Sequence, residues 1–437
     1  MPDPRVETLL DLINRTFTGE TMKILIVGGG IGGLAAALCL HRAGIESEIF
    51  EQSSELRELG VGINVLPHAI SALAELDLLP ALDRAGIRTR ELLYCNRFGQ
   101  TVWQELRGTD AGYDVPQFSI HRGKLHGVLH HAVRERLGPG RIHTDCRLIG
   151  FDERRDRVLA SFESGQGRHA IAVEGQALIA ADGVHSTVRS ILYPGEGRPI
   201  WNGTMLWRGA TQWPAYADGR TMVIAGGNAA KFVFYPIHED PARPDLRLTN
   251  WAIMARLGDA QVPPRREDWN RVGQPAEALP FVRDRFRLGF LDPVALIEAT
   301  GTFYEYPNCD RDPLPRWSFG RVTLMGDAAH PMYPVGSNGA SQAILDAQCL
   351  ARHLAAGSSI ADAFAAYDVE RRPAMAKIVE ANRKGGPEGV IDMIEGRAPE
   401  GFDDIDRVAS HAEREAVVRG YASMAGFARE QVNRPRS

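Results

Sequence analysis

Short apolar runs that end in glycine recur along the first and last thirds of the chain, and they set its expected architecture. Residues 23–27 read KILIV, a β-branched run suited to a strand buried on both faces, and lead directly into GGGIGG. The following LAAALCLHRAG is apolar at helical spacing and stops at Gly44, which predicts strand, glycine turn and helix in that order. Residues 177–192, ALIAADGVHSTVRSIL, repeat the scheme: an apolar strand ends at Asp182-Gly183, and Ser186 and Arg189 open the next helix. A third strand, RVTLM at 321–325, ends at Gly326-Asp327; a proline-stiffened loop then leads through Gly336-Ser337-Asn338-Gly339 into the helix ASQAILDAQCLARHL.

Between residues 200 and 310 the pattern changes. TMLWRGATQW, TMVIAGG, KFVFYPI and RLTNWAIMAR read as strands with large apolar residues in alternation, separated by polar or Pro/Gly-rich turns, which predicts an antiparallel sheet. Alternation puts Phe232 and Phe234 on one face and Tyr235 on the other. From about residue 387 the chain is helical and charged, and reads as a peripheral cap or dimer contact. The predicted class is mixed α/β (α+β). A discontinuous nucleotide-binding part spans residues 22–95, 118–195 and 300–375, a sheet part spans 96–117 and 196–299, and a helical segment covers 376–437. Residues 1–21 precede a second methionine, Met22, and read as an extension without the apolar core of a secretory signal.

Composition narrows the classes. A chain of 437 residues exceeds a comfortable single core, so two or three interleaved domains are expected. With 44% hydrophobic and 24% charged residues and no run of about eighteen apolar residues, membrane insertion is not expected. A net charge of -5 with scattered basic residues gives no footprint for nucleic acid. Five cysteines, odd in number and without a CxxC pair, fit neither a disulfide framework nor a zinc site and point to a reducing, cytoplasmic compartment. Monomer and homodimer both remain open.

The first turn carries the chemistry of a dinucleotide site. Gly28, Gly30 and Gly33 satisfy G-x-G-x-x-G: the first permits the turn, the second admits a pyrophosphate close to the backbone, and the third lets helix and strand touch. Glu51 ends the next strand 51 − 28 = 23 positions after the first glycine, close to the spacing of a carboxylate that binds ribose hydroxyls. This unit alone fits NAD and FAD equally. The third turn favours the flavin, because Asp327 offers a carboxylate to ribitol and the helix start after Gly339 offers N–H groups and about half a positive charge to a ring that becomes anionic on reduction. No second strand-GxGxxG-helix unit follows residue 60, so NAD(P)H is expected as a transient co-substrate without its own domain. His126, His130 and His131 share a helix face but lack a third ligand, so no metal is expected; His330 is expected to orient the flavin loop.

Together, GGGIGG with Glu51, ADGVHSTVR and GDAAHPMYPVGSNGASQAILDA resemble the single-component FAD-dependent aromatic hydroxylases, the family of para-hydroxybenzoate and salicylate hydroxylases. ELGVGINVLP, SIHRGKL, MLWRGAT, DRDPLPRW, YDVERRP and QVNRPR are similar, more narrowly, to members that hydroxylate 5-methylphenazine-1-carboxylate. The resemblance implies a Rossmann-like FAD-binding domain interleaved with a substrate-binding sheet, and tightly but non-covalently bound FAD. It implies that NAD(P)H and O₂ are used to hydroxylate an aromatic or N-heteroaromatic ring through a flavin C4a-hydroperoxide. It places Gly28, Gly30, Ile31, Gly33 and Glu51 at the ADP half, Arg122 at the ribityl-phosphate side and Asp327 at the ribitol. Gly62 and Ile63 would pass one side of the flavin, Pro334, Gly336, Asn338 and Gly339 would lie along its pyrimidine edge, and Asp182 would serve both FAD and NAD(P)H. Trp207, Phe232, Phe234, Tyr235, Pro334 and Val335 are the candidate walls of the substrate pocket, although most sheet aromatics are also expected in its core. No catalytic side chain is assigned. A flavin dehydrogenase or reductase without oxygen insertion, and a non-catalytic redox sensor, are the competing readings.

Overall fold

The computed structural model describes residues 22–56, 60–165, 169–258 and 271–434, so the expected extension at 1–21 lies outside the described residues. The apolar runs read from the sequence become the strands of a six-stranded sheet, in the order Ser318–Phe319, Val322–Leu324, Ala177–Ala180, Lys23–Val27, Glu46–Phe50 and Ile142–His143. All neighbours are parallel except the first two, which form an antiparallel hairpin. The strands that precede the three turns are adjacent: Ala177–Ala180 lies between Lys23–Val27 and Val322–Leu324. All three turns therefore emerge at the carboxyl edge of one sheet, the edge where open α/β sheets bind ligands.

The helices Ile31–Arg42 and Gly339–Ala355 pack directly on each other. Small residues make this possible: a Cβ on Gly32 would sit 3.4 Å from that of Ala343, and one on Gly326 would sit 3.1 Å from it. The two glycine-led helix starts, more than three hundred residues apart in sequence, thus converge in space. A three-stranded antiparallel unit of Arg147–Glu153, Val158–Ser164 and His169–Gly175 packs against this part, with Phe162 stacked on Phe50 at 4.5 Å.

The second large sheet has seven strands in the order Phe303–Asp310, Ile200–Pro214, Leu246–Arg256, Ala230–Glu239, Thr221–Ala225, Glu91–Cys95 and Thr101–Leu106. It is antiparallel except where Thr221–Ala225 runs parallel to Glu91–Cys95. Two expected boundaries shift: Glu91–Cys95 and Phe303–Asp310, assigned from the sequence to the nucleotide-binding part, belong to this sheet. Both faces are buried. The far face packs under the segment holding helices Pro275–Ala278 and Pro293–Glu298, and the near face packs under the C-terminal helices, with Val390, Ile391, Ile394 and Val418 in its core.

Candidate active site

The first turn has the geometry of a phosphate cradle. Gly28 has φ +105°, and a Cβ there would collide with the carbonyl of Ala181; one on Gly33 would collide with the carbonyl of Gly28. Gly30 is different: a Cβ there would meet nothing within 4 Å, and as N-cap it leaves the first N–H groups of the helix from Ile31 without a side-chain cap. The open position faces the uncapped helix start, as a bound pyrophosphate requires. Glu51 is buried and held in place, accepting from the N–H of Gly29 at 2.7 Å and of Ser53 at 2.8 Å. The His126 ring bonds the Gly29 carbonyl at 2.7 Å and stacks on His130 at 6.2 Å, so this histidine braces the turn.

Arg122 and Asp327 are both exposed, and they lie near enough for their charges to interact. Protein surrounds the Asp327 carboxyl closely enough that desolvation raises its pKa, against the pull of His330 and Arg122. Desolvation lowers the pKa of Arg122, with Asp327 opposing it. The pair sets a cation beside a carboxylate. On its other side the strand Gly62–Val65 is pinned by groups from the large sheet. Asn250 Oδ1 accepts from Gly62 N–H at 2.8 Å, and Arg208 donates to the Gly62 carbonyl and, at 3.0 Å, to Tyr306. Among the described residues, Arg208 Nε and Asn250 Nδ2 are buried donors without partners beside this segment. Arg208 lies in the MLWRGAT stretch but was not assigned a role from sequence, because its reach to Gly62 depends on strand order.

The second and third turns are joined by Arg189, which is 1% exposed. Its Nη1 donates to the carbonyls of Ala328 and Ala329 at 3.0 and 2.8 Å, its Nε to Glu196 at 2.7 Å, and its Nη2 forms an ion pair with the same carboxylate. Asp182 Oδ2 accepts from Thr187 N–H at 2.8 Å at the start of the helix that Ser186 caps, while among the described residues its Oδ1 is buried without a partner and desolvation raises its pKa. Behind the third turn, Asp346 accepts from Gly326 N–H at 2.9 Å, from Arg371 Nε at 2.8 Å, and bonds His330 Nε2 at 2.6 Å. Burial pushes Asp346 up, but His330 and Arg371 outweigh it and hold the carboxyl below its usual value. His330 thus orients the turn, as expected.

The loop from Pro334 to Gly339 turns at Gly336, φ +65°, and Ser337, φ +58°. It is gripped by the C-terminal segment, which is therefore more than a peripheral cap. Glu388 accepts from Gly336 N–H at 3.2 Å and pairs with buried Lys231; Tyr421 Oη accepts from Asn338 Nδ2 at 2.8 Å and donates to Asn382 at 2.6 Å. Val335 is buried and Pro334 exposed. A cavity of about 440 Å³ opens beside Gly336 and Ser337, walled by Leu92, Tyr94, Met222 and Ile224 from the near face of the sheet and by Trp103 and Phe427. Here the expected walls need correction. Trp207, Phe232 and Phe234 point to the opposite, far face, where they join Phe286 in the core, and Trp207 Nε1 bonds Glu305 at 3.0 Å. Tyr235 takes the near face as alternation required, but it packs in the core beside Arg208, and burial pushes its hydroxyl up to about 12.

Among the described residues, the potential metal ligands that come together are Cys349, His353 and Glu370, within 4.8 Å of one another. Arg352 donates to both Cys349 Sγ, at 3.5 Å, and Glu370, so a guanidinium already takes the cation's place. No helix among the described residues is long and apolar enough to cross a membrane.

Comparisons with known proteins agree with this geometry. A family model described as an FAD binding domain matches residues 21–208 and 309–382. A phenazine 1,6-dicarboxylic acid hydroxylase from Lysobacter antibioticus is 43% identical over 84% of this chain and 90% of its own length. A 3-hydroxybenzoate 6-hydroxylase from Aquipseudomonas alcaligenes is 30% identical over 83% and 88%. In fold, the chain is similar to Klebsiella pneumoniae HpxO complexed with FAD and uric acid, with a TM-score of 0.71 and 22% identity over 94% and 98% of the two chains. A turn with no room for side chains at Gly28 and Gly33, a cation set beside a carboxylate, and a family model matched over residues 21–208 and 309–382 have one explanation: the chain belongs to the FAD binding domain family and is an FAD-dependent aromatic monooxygenase.

Proposed function

We propose that this enzyme uses NAD(P)H and O₂ to hydroxylate a planar N-heteroaromatic acid of the phenazine type. The observation that carries the reading is the 440 Å³ cavity, whose size suits a ligand of about three fused rings and which abuts Gly336 and Ser337 of the third turn. The 43% identity to a phenazine dicarboxylic acid hydroxylase supports the same substrate class.

Bound FAD, reduced by NAD(P)H, would supply the electrons that activate O₂, one atom of which enters the substrate ring while the other leaves as water. The chain supplies the rest. Gly28, Gly30, Gly33 and the helix from Ile31 would hold the pyrophosphate, and Glu51 the adenosine ribose. Arg122 and Asp327 would take the ribityl phosphate and ribitol, with Asp182 at the junction used by both FAD and NAD(P)H. Gly62 and Ile63 would lie along one side of the ring, and the N–H groups at the start of the helix from Gly339 would favour its anionic reduced form. Tyr94, Trp103 and Phe427 close the cavity with apolar surface and exclude water from the reacting face.

The test is to incubate the FAD-loaded protein with NADH or NADPH and ¹⁸O₂ in the presence of phenazine-1-carboxylate, 5-methylphenazine-1-carboxylate, phenazine-1,6-dicarboxylate or salicylate. A product carrying one ¹⁸O from a phenazine acid, with matching NAD(P)H consumption, is expected. Oxidation of NAD(P)H without labelled product from any of them would instead favour a dehydrogenase or reductase.

A further inference from the structure

The cavity's wall holds one buried cation that the proposed function leaves unused. The chain leaves the edge strand Thr101–Leu106 at Arg107, whose backbone N–H donates to the Arg90 carbonyl at 2.7 Å. Its side chain is only 12% exposed and lines the cavity. The guanidinium is already oriented: Nη2 pairs with Glu105, which Trp103 Nε1 also holds at 3.3 Å, and the fork lies against the Tyr94 hydroxyl. Among the described residues its Nε, however, is buried without a partner. On the same wall, Gln117 is 2% exposed and its Oε1 is likewise buried without a partner.

Buried polar atoms are rarely left unpaired, so Arg107 and Gln117, each short of a bond just beneath one cavity wall, are poised to turn to a ligand, which first meets the accessible part of the Arg107 guanidinium. The other arginines of the cavity are spent at its mouth: Arg419 pairs with Glu415 at 2.9 Å and Arg429 with Glu430 at 3.6 Å, all four well exposed or nearly so. Arg107 alone among the lining cations is both inward and incompletely bonded. A guanidinium fork is matched to a carboxylate, whereas a neutral amide offers it a weaker acceptor.

Resting on the proposed function above, we propose that Arg107, assisted by Gln117, anchors the carboxylate end of the substrate and so selects aromatic acids. The acid meets the accessible edge of the guanidinium while Glu105 keeps Nη2. Gln117 turns to offer its Oε1 to a hydroxyl or N–H of the same ligand, and the ring system stacks along Tyr94 and Trp103 with its far edge towards Gly336 and Ser337.

Binding to the oxidised, FAD-loaded enzyme, followed by perturbation of the flavin absorbance, tests this with phenazine-1-carboxylate and the isosteric but uncharged phenazine-1-carboxamide. The wild type should prefer the acid by roughly 10-fold or more. Arg107→Gln should weaken acid binding about 10- to 100-fold, leave the amide within about threefold, and raise KM for the acid more than it lowers kcat. Arg107→Lys should recover part of the preference. Equal affinity of the wild type for acid and amide, or equal weakening of both by Arg107→Gln, overturns the anchor. Should Arg107→Gln fail to retain FAD, the wild-type acid-to-amide ratio decides alone. If phenazine acids are hydroxylated but not preferred, the anchor fails and the proposed function stands. If no aromatic acid is bound or hydroxylated, the function reading fails and takes the anchor with it.

Discussion

Replacing Arg189 with methionine should loosen the joint between the second and third turns. The arginine is 1% exposed, makes a two-point ion pair with Glu196 and satisfies the carbonyls of Ala328 and Ala329. Removing one partner of a buried ion pair costs about 3–5 kcal/mol, because the other charge is left uncompensated. Glu196 keeps Arg311 at 3.0 Å and is 19% exposed, which puts the pair's share near the lower end. The two orphaned carbonyls add about 1–3 kcal/mol, although contributions from one network do not sum. The net expectation is about 4 kcal/mol, a large part of the roughly 5–15 kcal/mol that holds a typical domain folded. Because those carbonyls belong to the turn carrying Asp327, FAD should also bind about tenfold more weakly or worse. Urea unfolding with excess FAD and titration of apoprotein by flavin fluorescence measure the two effects, with Arg189→Lys as a partial rescue. A loss below about 1 kcal/mol with FAD affinity within twofold of wild type would refute the reasoning.

Three other changes probe separate parts of the account. Gly33→Ala drives a methyl into the Gly28 carbonyl and should abolish FAD retention, read from the flavin-to-protein absorbance ratio; a fully yellow variant counts against the cradle. Phe232→Ala should cost about 3–5 kcal/mol in urea unfolding yet leave KM for an aromatic acid within about twofold, since this ring is on the far face of the sheet; a large change in KM would restore it as a pocket wall. Burial alone would raise the Glu48 carboxyl, but His143 and Lys23 outweigh it and hold it at about 2, down from 4.5. A depressed carboxylate stabilises the fold above its unfolded pKa and stops doing so as pH falls through its folded one. Glu48→Gln should therefore cost about 2–3 kcal/mol at pH 7, and the gap to wild type should shrink as pH falls from 4.5 towards 2. A gap unchanged at pH 3 contradicts it.

What could be read from the sequence is what forms between near neighbours. Val27, the three glycines and the helix after them are one continuous segment, so their conformation follows from local sterics, and Glu51 sits at the end of the adjoining strand. Alternation likewise separated Phe232 and Phe234 from Tyr235. It did not show which face meets the cavity, because that depends on what each face packs against: the segment holding residues 275–298 on one side and residues 386–425 on the other. Arg208 reaching Gly62, Arg189 reaching Ala328 and Tyr421 reaching Asn338 span between roughly eighty and one hundred and fifty residues, and no local pattern encodes such partners. Arg107 left a weaker signal, a lone arginine after an edge strand, and only the enclosure around it gives it meaning.

The grip of Glu388 and Tyr421 on the loop at Gly336–Asn338 has a consequence for biogenesis. On the ribosome the residues of this loop emerge before the helices that grip it, so the loop can take up its final geometry only once the chain is nearly complete.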